Sequence, residues 1–300
     1  MDRDITLEEL LQLWLDYTEF RKPMVSPSTY ARDYAKITRR IYLMKRSAPD
    51  LDNARRIRDW LLQNYARETA RRTLVQLAAA GRWAVFNDRL PWNPFDGLAR
   101  YLTRRDVEEE SCEAFTADER RAIIDAMSAE SVKDSYWVRF LFATGCRPEE
   151  AAALRWYHVA KDFSQIHIRE ARPVDTGLTQ ATKTYRTTRF PCNERLQALL
   201  MELQFRPNVS ESDYIFTNSN GGPFDYKNFQ TRRWRPTLLR LVEEGKVAFY
   251  LPQYNCRHTF ITEALKRIDV KDVSYLCRVS VATLMRVYAS RSRKIIIPEF

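Results

Sequence analysis

Apolar residues in the first hundred positions recur every three or four residues, which is the spacing of one face of an α-helix. A capping-box pair, Thr6 with Glu9, marks the start of the first apolar series. That series consists of Leu7, Leu10, Leu11, Trp14 and Leu15. Pro23 and Pro49 interrupt the pattern, and the prolines of residues 91–95 end it after a fourth series. The pattern predicts a compact bundle of four helices.

The rest of the chain mixes helical and extended patterns. Residues 104–111 are charged and lack any period, which is typical of a linker. A helix-start signal at Thr116 precedes a long apolar helix. Extended segments follow at roughly Gln165–Arg169 and Tyr185–Phe190, and helical patterns continue from there to Tyr288. We therefore expect a mainly α protein with a small antiparallel β-sheet, organised in two domains.

The composition is that of a soluble globular protein. The 300 residues are 45% hydrophobic and 29% charged, and no apolar run approaches the roughly 18 residues that span a bilayer. The first residues lack a signal-peptide pattern, so a cytoplasmic location is expected. Five scattered cysteines without a CxxC pair indicate reduced thiols, and neither they nor the three histidines form a metal-binding pattern. We expect no membrane partner, metal or cofactor.

The positive charge is concentrated in the first third of the chain. Residues 1–105 hold 20 Lys and Arg against 13 Asp and Glu, or +7, whereas the other 195 residues hold 29 against 26, or +3. A basic helical bundle favours a polyanionic partner, most simply nucleic acid. A solvated surface with a basic excess would show the same balance, so charge by itself leaves both interpretations open.

Two distant segments carry the residues best suited to chemistry. One runs from Thr144 to Glu150 and places Arg147 between a glycine break and a helix start; the other holds Arg257, with Tyr288 about thirty residues later. A phenolic oxygen can attack a phosphodiester while two planar guanidiniums stabilise charge on its non-bridging oxygens, without a metal. Each residue also has an ordinary interpretation, since Arg147 could pair with Glu150 and Tyr288 is one of 15 tyrosines.

Residues 143–156 contain Thr-Gly-x-Arg, a Glu three residues after the arginine and a final Leu-x-Trp. This segment resembles the first arginine box of the tyrosine recombinase (phage integrase) family. Residues 254–262 resemble the second box, Tyr288 stands where the family's nucleophile stands, and order and spacing agree over residues 115–290. The most similar branch is that of cyanobacterial-type integrases, in which a Tyr precedes the second arginine by three and the chain ends like residues 297–300 here.

The resemblance implies a domain organisation and a reaction. Residues 1–103 would form a core-binding domain, 104–114 a linker, 115–290 an α+β catalytic domain, and 291–300 a C-terminal tail that packs on this chain or on a neighbour. The implied reaction is site-specific recombination of double-stranded DNA through a 3′-phosphotyrosine. A tetramer assembled on paired sites would carry out this reaction without metal or cofactor. The protein would be associated with the nucleoid.

The resemblance also assigns roles to individual residues. Tyr288 attacks the phosphate, and Arg147 and Arg257 hold its non-bridging oxygens. Tyr254 assists with a hydrogen bond, and Lys183, in the expected β-hairpin, protonates the departing 5′ oxygen. Contacts to the duplex are expected from the starts and polar faces of the second and fourth helices, namely from Tyr30, Lys36, Arg39, Arg40, Arg71 and Arg72.

The chain departs from the family pattern at three positions. Tyr254 stands where a histidine is usual, and a phenol cannot act as a base near neutral pH. Arg278 and Val279 replace a Gly-His or Gly-Asn pair, and Val279 offers no hydrogen bond. We expect Arg278 either to reach the phosphate from the backbone conformation that the glycine served, or to be a surface residue. His258 follows Arg257 but is out of register with the missing histidine, so a structural role is expected for it.

Two other functions remain open. A DNA-relaxing topoisomerase would use the same chemistry, and a recombinase relic with a decayed active site would bind DNA without cutting it. The integrase-like boxes and the small bundle favour a recombinase over a topoisomerase. The retention of Arg147, Lys183, Arg257 and Tyr288 favours a recombinase over a relic.

Overall fold

The structure is a computed structural model that describes residues 4–100, 102, 113–181, 187–205 and 209–288. Nearly all of the predicted linker, residues 104–114, lies outside the described residues, and so do Lys183 and the predicted tail, residues 291–300. The chain divides into two compact units between residues 107 and 108. Helices make up most of both units, which confirms the predicted mainly α fold.

The first unit is a helical bundle. Its long helices are α1 (Leu7–Arg21), α2 (Ala35–Ser47), α3 (Ala54–Asn64) and α4 (Arg67–Phe86). The predicted capping box begins α1: the Glu9 N–H donates to the Thr6 hydroxyl over 3.2 Å, and the Thr6 N–H donates to the Glu9 carboxylate over 2.8 Å. Each helix buries one face, so that Trp14, Ile41 and Leu74 are fully enclosed. The apolar periodicity therefore located this core correctly.

The second unit is built around α6. Its helices are α5 (Ala117–Glu130), α6 (Val132–Thr144), α7 (Pro148–Ala151), α8 (Glu194–Gln204), α9 (Tyr226–Phe229), α10 (Arg235–Glu243), α11 (Asn255–Ala264), α12 (Val270–Cys277) and α13 (Val281–Tyr288). Helix α6 is apolar on most sides, and Trp137 and Phe140 are fully buried accordingly. The Trp137 indole donates to Gln253 Oε1 over 3.0 Å, which ties α6 to the segment that precedes α11.

Two antiparallel strand pairs interrupt these helices. The strands are β1 (Gln165–Ile168), β2 (Glu170–Ala171), β3 (Gln180–Ala181) and β4 (Thr188–Pro191). β1 pairs with β4, which places Ile166 opposite Phe190, and β2 pairs with β3. The predicted small antiparallel sheet is thus confirmed. β4 lies against α12, because the Thr188 hydroxyl donates to the Tyr275 carbonyl over 2.9 Å.

The described ranges also bear on membrane and metal binding. No helix within them is both long and apolar enough to cross a bilayer. In the same ranges, no three His, Cys, Asp or Glu side chains lie close enough together to hold a metal ion. Cys146, Cys192, Cys256 and Cys277 are buried thiols. Burial raises the pKa of Cys256 well above its usual range, which keeps this thiol protonated and unreactive.

Candidate active site

The first arginine box is a sharp break between two helices. α6 ends at Thr144, and Gly145 caps it in the left-handed conformation, with φ of 60°. A Cβ atom at Gly145 would lie 2.5 Å from Cδ1 of Phe260 on α11, so both the backbone angle and the close approach of α11 require glycine here. Helix α7 starts at Pro148, directly after Arg147. The predicted break followed by a helix start is therefore present, and Arg147 lies within it.

Glu150 and the backbone at the end of α12 hold Arg147 in place. Its Nη1 donates to Glu150 Oε1 over 2.7 Å, and its backbone N–H donates to Glu150 Oε2 over 2.9 Å. Its Nη2 lies 3.5 Å from the Arg278 carbonyl oxygen. Burial lowers the pKa of Arg147, but Glu150 and the Tyr254 phenol raise it more. The side chain stays 19% exposed, so a fixed cation faces solvent at the break.

Arg257 joins the second box to the first. It lies on α11 and is buried, with Nη1 donating to the Gly145 carbonyl over 2.7 Å and Nη2 donating to the Cys277 carbonyl. These two bonds fix the plane of the guanidinium between the α6 break and the end of α12. Two arginines that are 110 positions apart in the sequence are thus brought to the same glycine break.

Glu150 is the anion that organises this site. It is buried, and although burial raises its pKa, Arg278 and then Arg147 lower it more, to about 2. Arg257 also contributes to this lowering, so three guanidiniums act on one carboxylate. The three guanidiniums outnumber the two acidic groups, Glu150 and its neighbour Glu149. The break therefore carries an excess of positive charge suited to a phosphate anion.

The structure corrects the prediction for Arg278. Its backbone is left-handed, with φ of 55° and ψ of 43°, as expected for a residue that replaces glycine. Its side chain, however, is neither on the surface nor available to DNA, because it has no exposed area and its Nη2 and Nε donate to Glu150 over 2.6 and 3.1 Å. Arg278 was predicted to be a DNA-binding residue, and in this conformation that prediction is wrong. The desolvated ion pair with Glu150 is the physical reason.

Arg278→Gly should destabilise the second unit, although it restores the residue usual in the family. Glycine relieves the left-handed backbone by about 1 kcal/mol, but breaking a buried ion pair costs about 3–5 kcal/mol. We expect the free energy of unfolding to fall by about 2–4 kcal/mol, measured by calorimetry of the full chain. Asp88 has the same φ of 55° without a buried ion pair, so Asp88→Gly is the control and should not destabilise. A neutral Arg278→Gly would contradict this account.

Tyr288 lies at the end of α13 and points its hydroxyl at α11. The hydroxyl oxygen is 2.5 Å from Nδ1 of His258, and the residue is only 7% exposed. The His258 ring lies between two phenols, with its centroid 5.3 Å from that of Tyr254 and 5.8 Å from that of Tyr288. The structure thus places His258 beside the predicted nucleophile, a contact that was not expected from the sequence. The signal that could have found it is the four-residue spacing from Tyr254, which puts both on one helix face.

Lys36 and Arg39 are the bundle residues most available to a partner. Both lie exposed on α2, and neither forms an ion pair with a described residue. Arg40 is engaged within the bundle instead: it donates to the Thr73 hydroxyl over 3.0 Å, and its guanidinium lies 5.0 Å from the centre of the Tyr65 ring. The two exposed lysine and arginine side chains therefore fit the predicted role better than Arg40 does.

The other three bundle residues that were predicted to contact DNA bond to acidic neighbours within the bundle. Arg71 and Arg72 on α4 both pair with Glu68, over 2.7 and 2.8 Å. Tyr30 lies in a π-helical segment that leads into α2, and its hydroxyl donates to Glu19 over 3.2 Å. A phosphate would have to compete with these carboxylates. DNA contact by all six bundle residues stays a prediction.

Comparison with known proteins places this site in a family. The phage integrase family profile matches residues 113–292. A probable integrase/recombinase protein of Methanocaldococcus jannaschii, MJ0367, is 29% identical over 128 residues, which are 42% of this chain and 35% of that protein. The chain therefore matches about a third of the length of this curated relative.

Solved structures share the fold. A Tn1549 transposon integrase in complex with a circular intermediate DNA matches with a TM-score of 0.75 and 16% identity, over 93% of this chain and 94% of that one. A lambda integrase dimer bound to a COC′ core site matches with a TM-score of 0.66 and 15% identity, over 99% and 81%. At such identities the likeness concerns the fold alone. The family profile, however, covers more than half of the chain, and the chain belongs to the phage integrase family, as its two arginine boxes predict.

Proposed function

We propose that the chain is a site-specific recombinase that cuts and rejoins double-stranded DNA through a 3′-phosphotyrosine. The observation that carries the proposal is the meeting of three separate segments at one point. Arg257 bonds to the break that holds Arg147, and its sequence neighbour His258 contacts the hydroxyl of Tyr288. These contacts bring the proposed nucleophile to the helix that carries Arg257, whose guanidinium reaches the break that holds Arg147, and this preorganisation supports the proposal.

The proposed cleavage step is an in-line displacement at phosphorus. The Tyr288 oxygen bonds to phosphorus, and the bond from phosphorus to the 5′ oxygen breaks. Arg147 and Arg257 stabilise the charge that develops on the two non-bridging oxygens, and the contacts that hold both guanidiniums in place limit the reorganisation that this requires. The Tyr254 phenol is exposed and lies close enough to Arg147 to raise the pKa of that arginine. We assign it one more hydrogen bond to the same phosphate.

The leaving 5′ oxygen must gain a proton. We assign this step to Lys183, which follows β3 in the sequence, because a flexible ammonium can follow the departing oxygen. The covalent link conserves the energy of the broken phosphodiester, so the 5′ hydroxyl of another strand can reverse the reaction without an outside energy source. Strand exchange between paired sites would follow from assembly of four copies on DNA.

The test uses a nicked duplex. The full chain first selects a site from a pool of random-sequence duplexes, and that site is then synthesised with a nick at each position in turn, so that the short cleaved fragment diffuses away. We expect a covalent protein–DNA adduct that forms in the presence of EDTA and is removed by protease. A chain that binds the site but gives no adduct would be a relic. Relaxation of supercoiled plasmid that lacks the site would indicate a topoisomerase.

The binding surface predicts a salt effect. A double variant, Lys36→Gln with Arg39→Gln, should bind the selected duplex more weakly at every salt concentration. The slope of log Kd against log salt concentration should decrease by about 0.9 for each lost phosphate contact. Arg56→Gln with Arg58→Gln is the matched control, because it removes the same charge from α3, where both arginines already pair with aspartates. Equal slopes in the two double variants would contradict DNA contact by α2.

A further inference from the structure

The contact between His258 and Tyr288 has chemical consequences for a nucleophilic phenol. The separation of 2.5 Å between Nδ1 and the hydroxyl oxygen is that of a strong hydrogen bond. Tyr288 is almost enclosed, so bulk water has little access to this hydroxyl. A phenol is a weak nucleophile until it loses its proton, and an imidazole nitrogen lies directly against it.

Helix α11 places this imidazole. Tyr254 and His258 are four residues apart and so lie on one face of the helix, with their ring centroids 5.3 Å apart. Arg257, between them in sequence, turns inward to the α6 break. One helix thus presents a phosphate-holding arginine and a nitrogen base at adjacent positions, while the phenol of Tyr254 could not serve as that base near neutral pH.

The surroundings keep His258 neutral. Burial, and after it the positive charge of Arg257, lower the pKa of His258 to about 4. The groups that face the ring include Arg257 on the same helix, Tyr254 at the start of that helix and Tyr288 on α13. A neutral imidazole has one nitrogen with a lone pair, and Tyr288 can donate its proton to Nδ1 only when the hydrogen of the ring is on Nε2.

We infer that His258 is the general base of the proposed cleavage, accepting the Tyr288 proton at Nδ1 while the phenolic oxygen attacks phosphorus. The inference rests on the proposed function. The O–H bond of Tyr288 breaks as its oxygen bonds to phosphorus, and the hydrogen passes to Nδ1 to give an imidazolium. The bond from phosphorus to the 5′ oxygen breaks with its electron pair on that oxygen, which Lys183 protonates. On rejoining, the imidazolium returns its proton to Tyr288.

The variant His258→Asn distinguishes a role as a base from a role as a hydrogen-bond acceptor only. The Asn side-chain oxygen can accept a bond where Nδ1 did, but an amide does not take up a proton near neutral pH. With the full chain on the nicked duplex, the single-turnover rate of adduct formation should fall about 10²–10⁴-fold. The affinity for the duplex should stay unchanged, which shows that the variant is folded. A variant as fast as wild type would make His258 a positioning residue and overturn the inference.

A sulfur-containing substrate distinguishes the role proposed for His258 from that of Lys183, the acid that protonates the leaving group. When sulfur replaces the bridging 5′ oxygen at the cleavage position, the leaving group departs as a thiolate and needs no proton. Lys183→Ala should then recover most of its lost rate, whereas His258→Asn should stay slow. Recovery by His258→Asn on this duplex would mean that the imidazole serves the leaving group, and it would overturn the inference.

Nitrogen-15 NMR of the histidine rings tests the inference without DNA. In the wild-type chain at neutral pH, Nδ1 of His258 should be unprotonated and Nε2 protonated, and the ring should titrate near pH 4. A hydrogen on Nδ1 would overturn the inference whatever the chain does to DNA. If wild type forms no adduct, the proposed function fails and the inference fails with it. If wild type reacts and His258→Asn matches it, only the inference fails.

Discussion

Tyr288→Phe should form no covalent adduct with the nicked duplex, and its affinity for that duplex should stay nearly unchanged. The substitution removes one oxygen, which is the atom proposed to attack phosphorus, and it leaves the ring packed in the core beside Leu284. The adduct is measured by gel electrophoresis under denaturing conditions, and the affinity by titration of labelled duplex.

The control for Tyr288→Phe is Tyr157→Phe. Tyr157 belongs to the same unit and is 44% exposed, so loss of its hydroxyl should affect neither the fold nor the adduct. An adduct of normal yield with Tyr288→Phe would show that a different tyrosine attacks the phosphate. Mapping the linked residue by mass spectrometry would then identify it.

Glu150→Gln should lower the free energy of unfolding of the second unit by about 3–5 kcal/mol. Glu150 is the shared acceptor for Arg147 and for the fully buried Arg278, at 2.7 and 2.6 Å. A glutamine keeps the size of the side chain but removes its charge. Its NH₂ group can only donate, so it cannot accept a hydrogen bond from the guanidinium that it faces. Buried cations would then lack their counter-charge. Calorimetry of the full chain, in which each unit can show its own transition, measures the change.

Glu68 provides the matched control. It also bridges two arginines, Arg71 and Arg72, which lower its pKa to about 2 as well, but it lies on the surface. Solvent screens such a pair, so Glu68→Gln should leave the free energy of unfolding nearly unchanged. Equal losses in the two variants would mean that burial does not set the strength of the Glu150 network.

The same network predicts a pH dependence. The pKa of Glu150 is about 2 in the folded chain against an ordinary 4.5, so the folded state holds the carboxylate form more tightly than the unfolded state does. The stability it contributes is complete above pH 4.5 and is lost as the pH falls towards 2. In Glu150→Gln this part of the acid dependence should be missing. A variant that loses stability in acid as steeply as wild type would contradict the assignment.

The parts of the fold that depend on local sequence were predictable. The Thr6–Glu9 capping box, the apolar faces of the bundle helices and the glycine break before Arg147 all follow from residues within a few positions of one another. The left-handed backbone of Arg278 belongs with them, because a residue in the place of a glycine inherits its turn. Such features depend on short-range sterics and hydrogen bonds.

The sequence by itself determined a mainly helical chain with two arginine boxes and a C-terminal tyrosine, and the motifs identified the family. Only the tertiary structure decided where the Arg278 and His258 side chains go. Arg278 meets Glu150 across 128 positions and Tyr288 meets His258 across 30. Contacts at such separations depend on how α11, α12 and α13 pack against the α6 break. Desolvation in that packing makes Arg278, a predicted DNA contact, one half of a buried ion pair, and the same packing places the His258 ring against the Tyr288 hydroxyl.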